Sequence, residues 1–295
     1  MSALDSNSEP DPATALDGAQ TNRTALLSPG MAARLRGLTP ARVGLRRSGI
    51  SIATGELLDF QLAHARARDA VHAVLQPASL AAALRESLTA SGLKFDVIPL
   101  HSAAKDRQAY LQRPDLGRKL DEASRQRLRE IPPQPFDLSI VLADGLSAFA
   151  VERHAAPLLA GLLPALLQSS PELRLAPICI VEQGRVAIAD EVAHALSATL
   201  AIAFIGERPG LSSPDSLGAY ITWQPQPGIT TDAERNCISN IRAEGLSYPQ
   251  AAARLLHYIC EARARRLTGI ALKDPNPALD SRSELQSAPQ EGTGR

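Results

Sequence analysis

The sequence predicts an α/β fold in which a mainly parallel sheet with flanking helices follows a helical N-terminal subdomain. Two observations carry this prediction. After Pro135, short apolar runs alternate with longer stretches of helical character, which is the pattern of strands connected by helices. Three of these runs end in glycine-containing turns, as strands do where they lead into binding loops. Before Pro132, helical spacing dominates instead.

Composition divides the chain into four parts. Residues 1–37 are rich in Ser, Asp, Ala and Pro without periodicity, so they predict a flexible N-terminal extension. Residues 38–131 are assigned to the helical N-terminal subdomain, which ends where the Pro-Pro-Gln-Pro break begins. Residues 132–274 form the predicted Rossmann-like domain. Residues 275–295 have the composition of the extension and predict a flexible tail.

Apolar spacing predicts the elements of the N-terminal subdomain. Apolar residues at intervals of three and four predict a helix over residues 56–75. A second helix over residues 80–91 would be closed by Gly92. The remaining predictions are a short strand over 95–100 and helical segments over 106–111 and 116–129.

The second part alternates between strands and helices. Apolar runs predict strands over residues 138–143, 178–181, 200–205 and 219–223. Between and after them, helices are predicted over 147–168, broken or kinked at Pro157 and Pro164, over 190–196 and over 249–267. Ser247 and Gln250 offer the last helix a capping box, and Gly269 its stop.

Three turns follow three of the predicted strands. They contain Asp144–Gly145, Gly184–Arg185–Val186 and Gly206–Glu207–Arg208. If the strands are parallel, the turns share one edge of the sheet, where ligands bind in open α/β folds. The loop 206–217, rich in Gly, Ser and Pro, is the first place to expect a ligand, although Glu207 and Arg208 could also be ordinary surface charges.

Bulk properties exclude several functions. Lys plus Arg and Asp plus Glu both total 31, and aromatic residues make up 3%, which argues against nucleic-acid binding. No apolar run has membrane-spanning length, so we expect a soluble cytoplasmic protein. Cys179, Cys237 and Cys260 lie too far apart to indicate a disulfide framework or a zinc site. No histidine spacing indicates a metal, and no Gly-x-Gly-x-x-Gly indicates a dinucleotide.

Two residues allow alternative interpretations. Ser147 resembles a hydrolase nucleophile, but Phe149 replaces the second glycine of that motif, so a helix cap is favoured. Cys237 lies in a segment, 235–242, with many hydrogen-bonding side chains, predicted as a loop flanked by glycines. By itself the cysteine is more simply a small buried residue.

Long, ordered motifs carry a resemblance to a known family. They are residues 110–118, 144–147, 184–186, 206–211 and 235–241, together with 60–70. From about residue 39 to residue 273 the chain resembles the small (light) subunit of ethanolamine ammonia-lyase. Ser213–Pro214–Asp215 departs from the family pattern and leaves the outer contacts of its loop open.

The resemblance implies an adenosylcobalamin-dependent lyase that converts ethanolamine to acetaldehyde and ammonia by a radical mechanism. The large subunit, a barrel, would carry the substrate site, while this chain closes over the cobalamin through Val186, Glu207 and Cys237. No catalytic residue and no metal ligand are assigned to this chain, which also lacks the Asp-x-His-x-x-Gly motif that supplies a histidine to cobalt. Whether the extension directs the protein into a bacterial microcompartment stays open.

Two alternatives use the same residues. A stand-alone α/β enzyme or small-ligand binder could use the strand-end turns without a partner. A purely structural subunit would never touch the cofactor. Neither alternative involves nucleic acid or a membrane.

Overall fold

The computed structural model describes residues 29–273, except residues 40, 46 and 49. The described residues divide into two compact units, of which the first ends at Leu62 and the second begins at Ala63. Most of the predicted N-terminal extension and the whole predicted tail lie outside the described residues. The last residues of the extension are helical, because α1 spans Pro29–Leu38. No helix among the described residues has the length and apolarity to cross a membrane.

The first unit contains α1, a two-stranded antiparallel ladder and the beginning of α2 (Thr54–His72). The ladder joins β1 (Arg47–Ser48) to β2 (Ser51–Ile52) and was not predicted. Arg36 connects these elements, since its Nη2 donates to the carbonyl of Gly44 at 2.9 Å and lies 3.7 Å from Oε1 of Glu56.

The second unit is built on a six-stranded sheet with strand order β3-β5-β4-β6-β7-β8. The first four strands in this order are parallel, and β7 and β8 extend the sheet as antiparallel strands. The strands are β3 (Val97–His101), β4 (Phe136–Ala143), β5 (Ile178–Glu182), β6 (Ala198–Gly206), β7 (Leu217–Trp223) and β8 (Arg235–Ile241). The prediction of a mixed α/β fold with a mostly parallel sheet is confirmed.

Six helices of this unit follow α2 among the described residues. They are α3 (Pro77–Ala90), α4 (Arg107–Gln112), α5 (Glu122–Arg129), α6 (Ala148–Ser169), α7 (Ile188–Ala195) and α8 (Tyr248–Arg265). Most predicted bounds agree within three residues. The segment 116–129 is a 3₁₀ turn and then α5, because Asp121 caps α5 by accepting from the amide of Ser124 at 2.7 Å. Helix α6 continues through Pro157 and Pro164 instead of breaking there.

The core lies on both faces of the sheet. Along β4, Leu138, Ile140 and Leu142 pack with α3, α6 and α8, while Val141 points to the opposite face with α5 and α7. A strand covered on both faces reads as a continuous apolar run, which is why β4 was recognisable. Helix α8 begins with the predicted capping box, in which Ser247 Oγ donates to Gln250 Oε1 at 2.9 Å. Its left-handed C-cap is Arg266, not Gly269.

The Pro-rich segment 132–135 connects α5 to β4 inside the second unit. Strand β3, which precedes this segment, pairs with β5, with Val97 opposite Ile178. The two compact units divide between Leu62 and Ala63, and the subdomain boundary at the proline-rich segment stays a prediction. The Rossmann-like classification and the helical subdomain stay predictions.

Candidate functional site

The three predicted turns lie at one edge of the sheet. Strands β4, β5 and β6 are parallel, and Ala143 is paired with both Val181 and Ile205 at their carboxyl ends. The turns that begin at Asp144 and Gly184 and the one at Gly206 are therefore neighbours. The predicted common edge is confirmed.

Two glycines allow the turn after β4 and the turn after β6 to touch. Gly145 has a left-handed φ of 56°, and the amide of Leu146 donates to the carbonyl of Gly206 at 2.9 Å. A Cβ at Gly206 would overlap the carbonyl oxygen of Ser147 and lie 2.5 Å from that of Asp144. The backbone of one turn thus occupies the space that a side chain would need on the other.

Asp144 joins the first turn to the second. Its side chain is fully buried, and Oδ1 accepts from the amide of Gly184 at 3.0 Å. Arg107 lies beside it, with Nη1 3.7 Å from Asp144 Oδ2 and 2.7 Å from the carbonyl oxygen of Gly145, to which it donates. Burial raises the pKa of Asp144 to about 6, against the lowering effect of Arg107 and nearby backbone N–H groups.

This shift predicts a pH dependence of stability. An unfolded Asp releases its proton near pH 4, so between pH 4 and 6 the folded state holds a proton that the unfolded state has lost. Stability should fall as the pH rises through this window, by on the order of 3 kcal/mol. Asp144→Asn should abolish this component, and free energies of unfolding at pH 4 and pH 7 would measure it. An equal pH dependence in both proteins would contradict the assignment.

The second turn is supported by the motif 110–118. The guanidinium of Arg185 stacks 4.3 Å from the centre of the Tyr110 ring, whose hydroxyl donates to the carbonyl of Gly184 at 3.3 Å. The amide of Arg185 donates to the carbonyl of Gly117 at 2.7 Å. A Cβ at Gly117 would lie 2.9 Å from Arg185 Cγ, so a glycine is needed for this approach. These contacts fix the backbone that leads directly to Val186.

Glu207 follows β6 and extends over β7. Its Oε2 accepts from Ser216 Oγ and from the amide of Asn240, the latter at 3.2 Å. Its Oε1 has no hydrogen-bond partner among the described residues. Gly218 leaves room for the carboxylate, since a Cβ there would lie 3.0 Å from Oε1. One carboxylate oxygen of Glu207 is therefore fixed by hydrogen bonds, and the other is available to accept a hydrogen bond from a ligand.

Cys237 lies on an edge strand rather than in the predicted loop. In β8 it is paired with Tyr220 of β7, and its side chain is exposed, so the buried-residue interpretation is wrong. Its Sγ lies 3.3 Å from Ser239 Oγ. Burial raises the pKa of Tyr220, as do its hydrogen bond with Cys237 and the charge of Glu207. Glu207, Tyr220 and Cys237 thus form one continuous surface across β7 and β8.

Val186 lines a cavity of about 950 Å³ on the same side of the sheet. Arg235 of β8 lines it too, with its guanidinium bonded to both oxygens of Asp190 in α7, at 2.7 and 2.6 Å, and to Thr222 Oγ1 at 2.9 Å. The side chains of Arg235 and Asp190 are 2% and 1% exposed. Since Arg235 and Cys237 are two residues apart on one strand, they face the same side.

The loop between β6 and β7 is held by α6. Ser147 is the N-cap residue of α6, as predicted, although its hydroxyl donates to the carbonyl of Pro214 at 3.0 Å and makes no cap hydrogen bond. Arg153 donates to Asp215 at 2.7 Å, and Arg242 to the carbonyl of Ser212 at 3.1 Å. The segment that departs from the family pattern is thereby fixed at both sides.

Sequence reasoning missed Arg107 and Tyr220. Arg107 lies outside every motif, and nothing in its neighbourhood along the chain points to Asp144. Tyr220 was inside a predicted strand, where alternation from Ala219 and Ile221 assigns it to the opposite face. No group of histidine, cysteine and acidic residues within the described part of the chain is arranged to hold a metal ion.

Comparison with known proteins identifies relatives over nearly all described residues. The sequence profile of the family described as ethanolamine ammonia-lyase light chain (EutC) matches residues 30–273. The ethanolamine ammonia-lyase small subunit of Pseudomonas aeruginosa (strain LESB58) is 55% identical over 243 residues, covering 81% of this chain and 86% of its own. Those of Pseudomonas fluorescens Pf-5 and Pseudomonas syringae pv. tomato are 55% and 53% identical over 244 residues. They cover 81% of this chain and 85% and 82% of their own.

The match includes all three turns and the two antiparallel strands that carry Tyr220 and Cys237. The chain therefore belongs to the ethanolamine ammonia-lyase light-chain family.

Proposed function

We propose that this chain forms one side of an adenosylcobalamin site, facing a large subunit that binds ethanolamine. The observation that supports this most directly is that Val186, Glu207 and Cys237 belong to the same side of the sheet. They come from a turn, a strand end and an edge strand, yet they lie on or beside one face of the sheet.

The chemistry of these residues fits the cofactor. Corrin rings carry neutral carboxamide arms, whose N–H groups need acceptors and whose oxygens need donors. Oε1 of Glu207 is an acceptor without a partner among the described residues, and Gly218 has no side chain that would crowd this oxygen. The amide of Val186 is a donor without an acceptor in the same part of the chain. The exposed sulfur of Cys237 offers a soft contact to the macrocycle.

The role of this chain is to bind and orient the cofactor and to exclude water. When bound, adenosylcobalamin supplies the radical chemistry, through homolysis of its cobalt–carbon bond, that converts ethanolamine to acetaldehyde and ammonia. By covering the cofactor, this chain would exclude water from the reaction site, and this exclusion prevents side reactions. We assign no acid or base in this reaction to the chain, and the large subunit carries the substrate site.

Substitution of Glu207 tests the proposal. In the reconstituted complex, Glu207→Ala should weaken adenosylcobalamin binding about tenfold, the effect of losing one charged hydrogen bond. Glu207→Gln retains an acceptor oxygen and should weaken it less. Equilibrium dialysis or spectral titration would measure both.

The matched control is Glu86→Gln, an exposed carboxylate on α3 at the opposite face of the sheet. It should leave affinity unchanged. Unchanged affinity in Glu207→Ala would instead favour the purely structural subunit. Ammonia release by this chain without a large subunit would favour the stand-alone enzyme.

A further inference from the structure

The cavity beside Val186 has an unusual charge distribution. Five cationic side chains and four carboxylates line it. Each carboxylate lies within 4 Å of an arginine: Asp115 of Arg113, Asp190 and Asp232 of Arg235, and Glu191 of Arg125. Each acidic group of the lining therefore lies beside an arginine of this chain, although Asp190 and Asp232 share Arg235.

The other three cations of the lining form no ion pair with a carboxylate of the described residues. The side chains of Arg118 and Lys119 are exposed and make no hydrogen bond or ion pair with the described residues. The guanidinium of Arg185 contacts the Tyr110 ring and donates to the Tyr110 carbonyl at 3.4 Å, and it forms no ion pair with a carboxylate of the described residues. Its buried Nε has no partner in the described chain. Arg118, Lys119 and Arg185 together form a positive wall, here called the cationic wall.

The beginning of α7 adds backbone donors. Ala187 occupies the N-cap position and provides no capping side chain. The amides of Val186 and Ala187, which line the cavity, have no acceptor among the described residues. Free amides at a helix N-terminus attract anions, and here they share a cavity with three unpaired cations.

We propose that this cavity binds a phosphate group between the cationic wall and the amide of Ala187, which leaves the amide of Val186 for the carboxamide arm of the proposed function. A phosphate offers several oxygens in a tetrahedral arrangement and so can accept from guanidinium, ammonium and amide donors at the same time. Two sources share this chemistry. One is the phosphodiester of the nucleotide loop of cobalamin, in which case the inference rests on the proposed function. The other is free phosphate.

A pair of corrinoids separates these sources. Adenosylcobinamide has the corrin ring and the cobalt–carbon bond of adenosylcobalamin but lacks the phosphodiester and the base. In the reconstituted complex, the double variant Arg118→Gln/Lys119→Gln should weaken adenosylcobalamin binding about tenfold or more. It should leave adenosylcobinamide affinity within about twofold. Equilibrium dialysis reports both affinities independently of turnover.

The matched control is Arg85→Gln/Lys94→Gln, which removes the same charge. Both residues are exposed and have no partner among the described residues, Arg85 on α3 and Lys94 before the amino end of β3. This pair should change neither affinity. A general effect of net charge would appear equally in the control, and that result would overturn the proposal.

Free phosphate is tested by calorimetric titration of the complex with inorganic phosphate in the absence of corrinoid. The site would be supported if inorganic phosphate bound to the wild type but not to Arg118→Gln/Lys119→Gln. If adenosylcobalamin affinity were unchanged in that variant, the ligand of the site would be free phosphate. No effect on either ligand would overturn the proposal. If the double variant weakened the binding of both corrinoids equally, the phosphate proposal would be overturned but the proposed cobalamin site would stand. If Glu207→Ala left adenosylcobalamin affinity unchanged, the proposed function itself would be contradicted.

Discussion

Asp190→Ala is expected to lower the free energy of unfolding by about 3–5 kcal/mol, because it leaves a buried guanidinium without its counter-charge. Both side chains of the Asp190–Arg235 pair are almost fully buried, and the two short hydrogen bonds between them connect α7 to β8. Urea denaturation followed by circular dichroism would measure the change.

Asp232→Ala is the matched control for this prediction. Asp232 lies 3.6 Å from the same guanidinium, but its side chain is fully exposed. Water screens an ion pair with an exposed partner, so this variant should be close to the wild type in stability. Asp190→Leu/Arg235→Met should recover much of the lost stability, since removing both charges also removes the buried unpaired one. Equal effects of Asp190→Ala and Asp232→Ala would contradict our interpretation.

Gly206→Ala is also expected to destabilise the protein. The added methyl group would overlap the carbonyl oxygen of Ser147 in the adjoining turn, and backbone atoms cannot rotate away as a flexible side chain can. Overpacking of this kind costs about 1–3 kcal/mol or more, and the displaced turn carries Glu207. Thermal unfolding should show the loss of stability, and adenosylcobalamin titration of the complex should show weaker binding.

Gly161→Ala provides a control of opposite sign. Gly161 is an exposed position of α6, and no atom lies within 4 Å of the place that an alanine Cβ would take. Alanine should stabilise the helix there by about 0.5–1 kcal/mol. If Gly206→Ala were as well tolerated as Gly161→Ala, the close contact between the turns would not be a determinant of stability.

The turns at the strand ends were predictable because the strands before them are apolar. Strands β4, β5 and β6 are covered on both faces, so their residues are mostly hydrophobic and the polar turn stands out where each strand ends. Parallel pairing then places Asp144, Val186 and Glu207 in neighbouring turns. This part of the site follows from local sequence and one rule of topology.

Strand β8 was not predictable in the same way. Its apolar residues are only Ile238 and Ile241, and its buried polar residue Asn236 is satisfied by partners far along the chain, the backbone of Gly269 and Leu272. Hydrogen bonds between distant segments leave no periodic signal in the sequence. Arg235 and its counter-ion, separated by 45 residues, escaped prediction for that reason.

The bond between Arg235 and Asp190 also bears on how a ligand is received. It fastens the helix that follows Val186 to the strand that carries Cys237. A molecule touching both would meet groups whose relative positions are set in advance, so little conformational entropy is lost on association. The binding surface of the subunit would then be preorganised, and its affinity for the ligand would depend on the rigidity of this surface as well as on the contacts made.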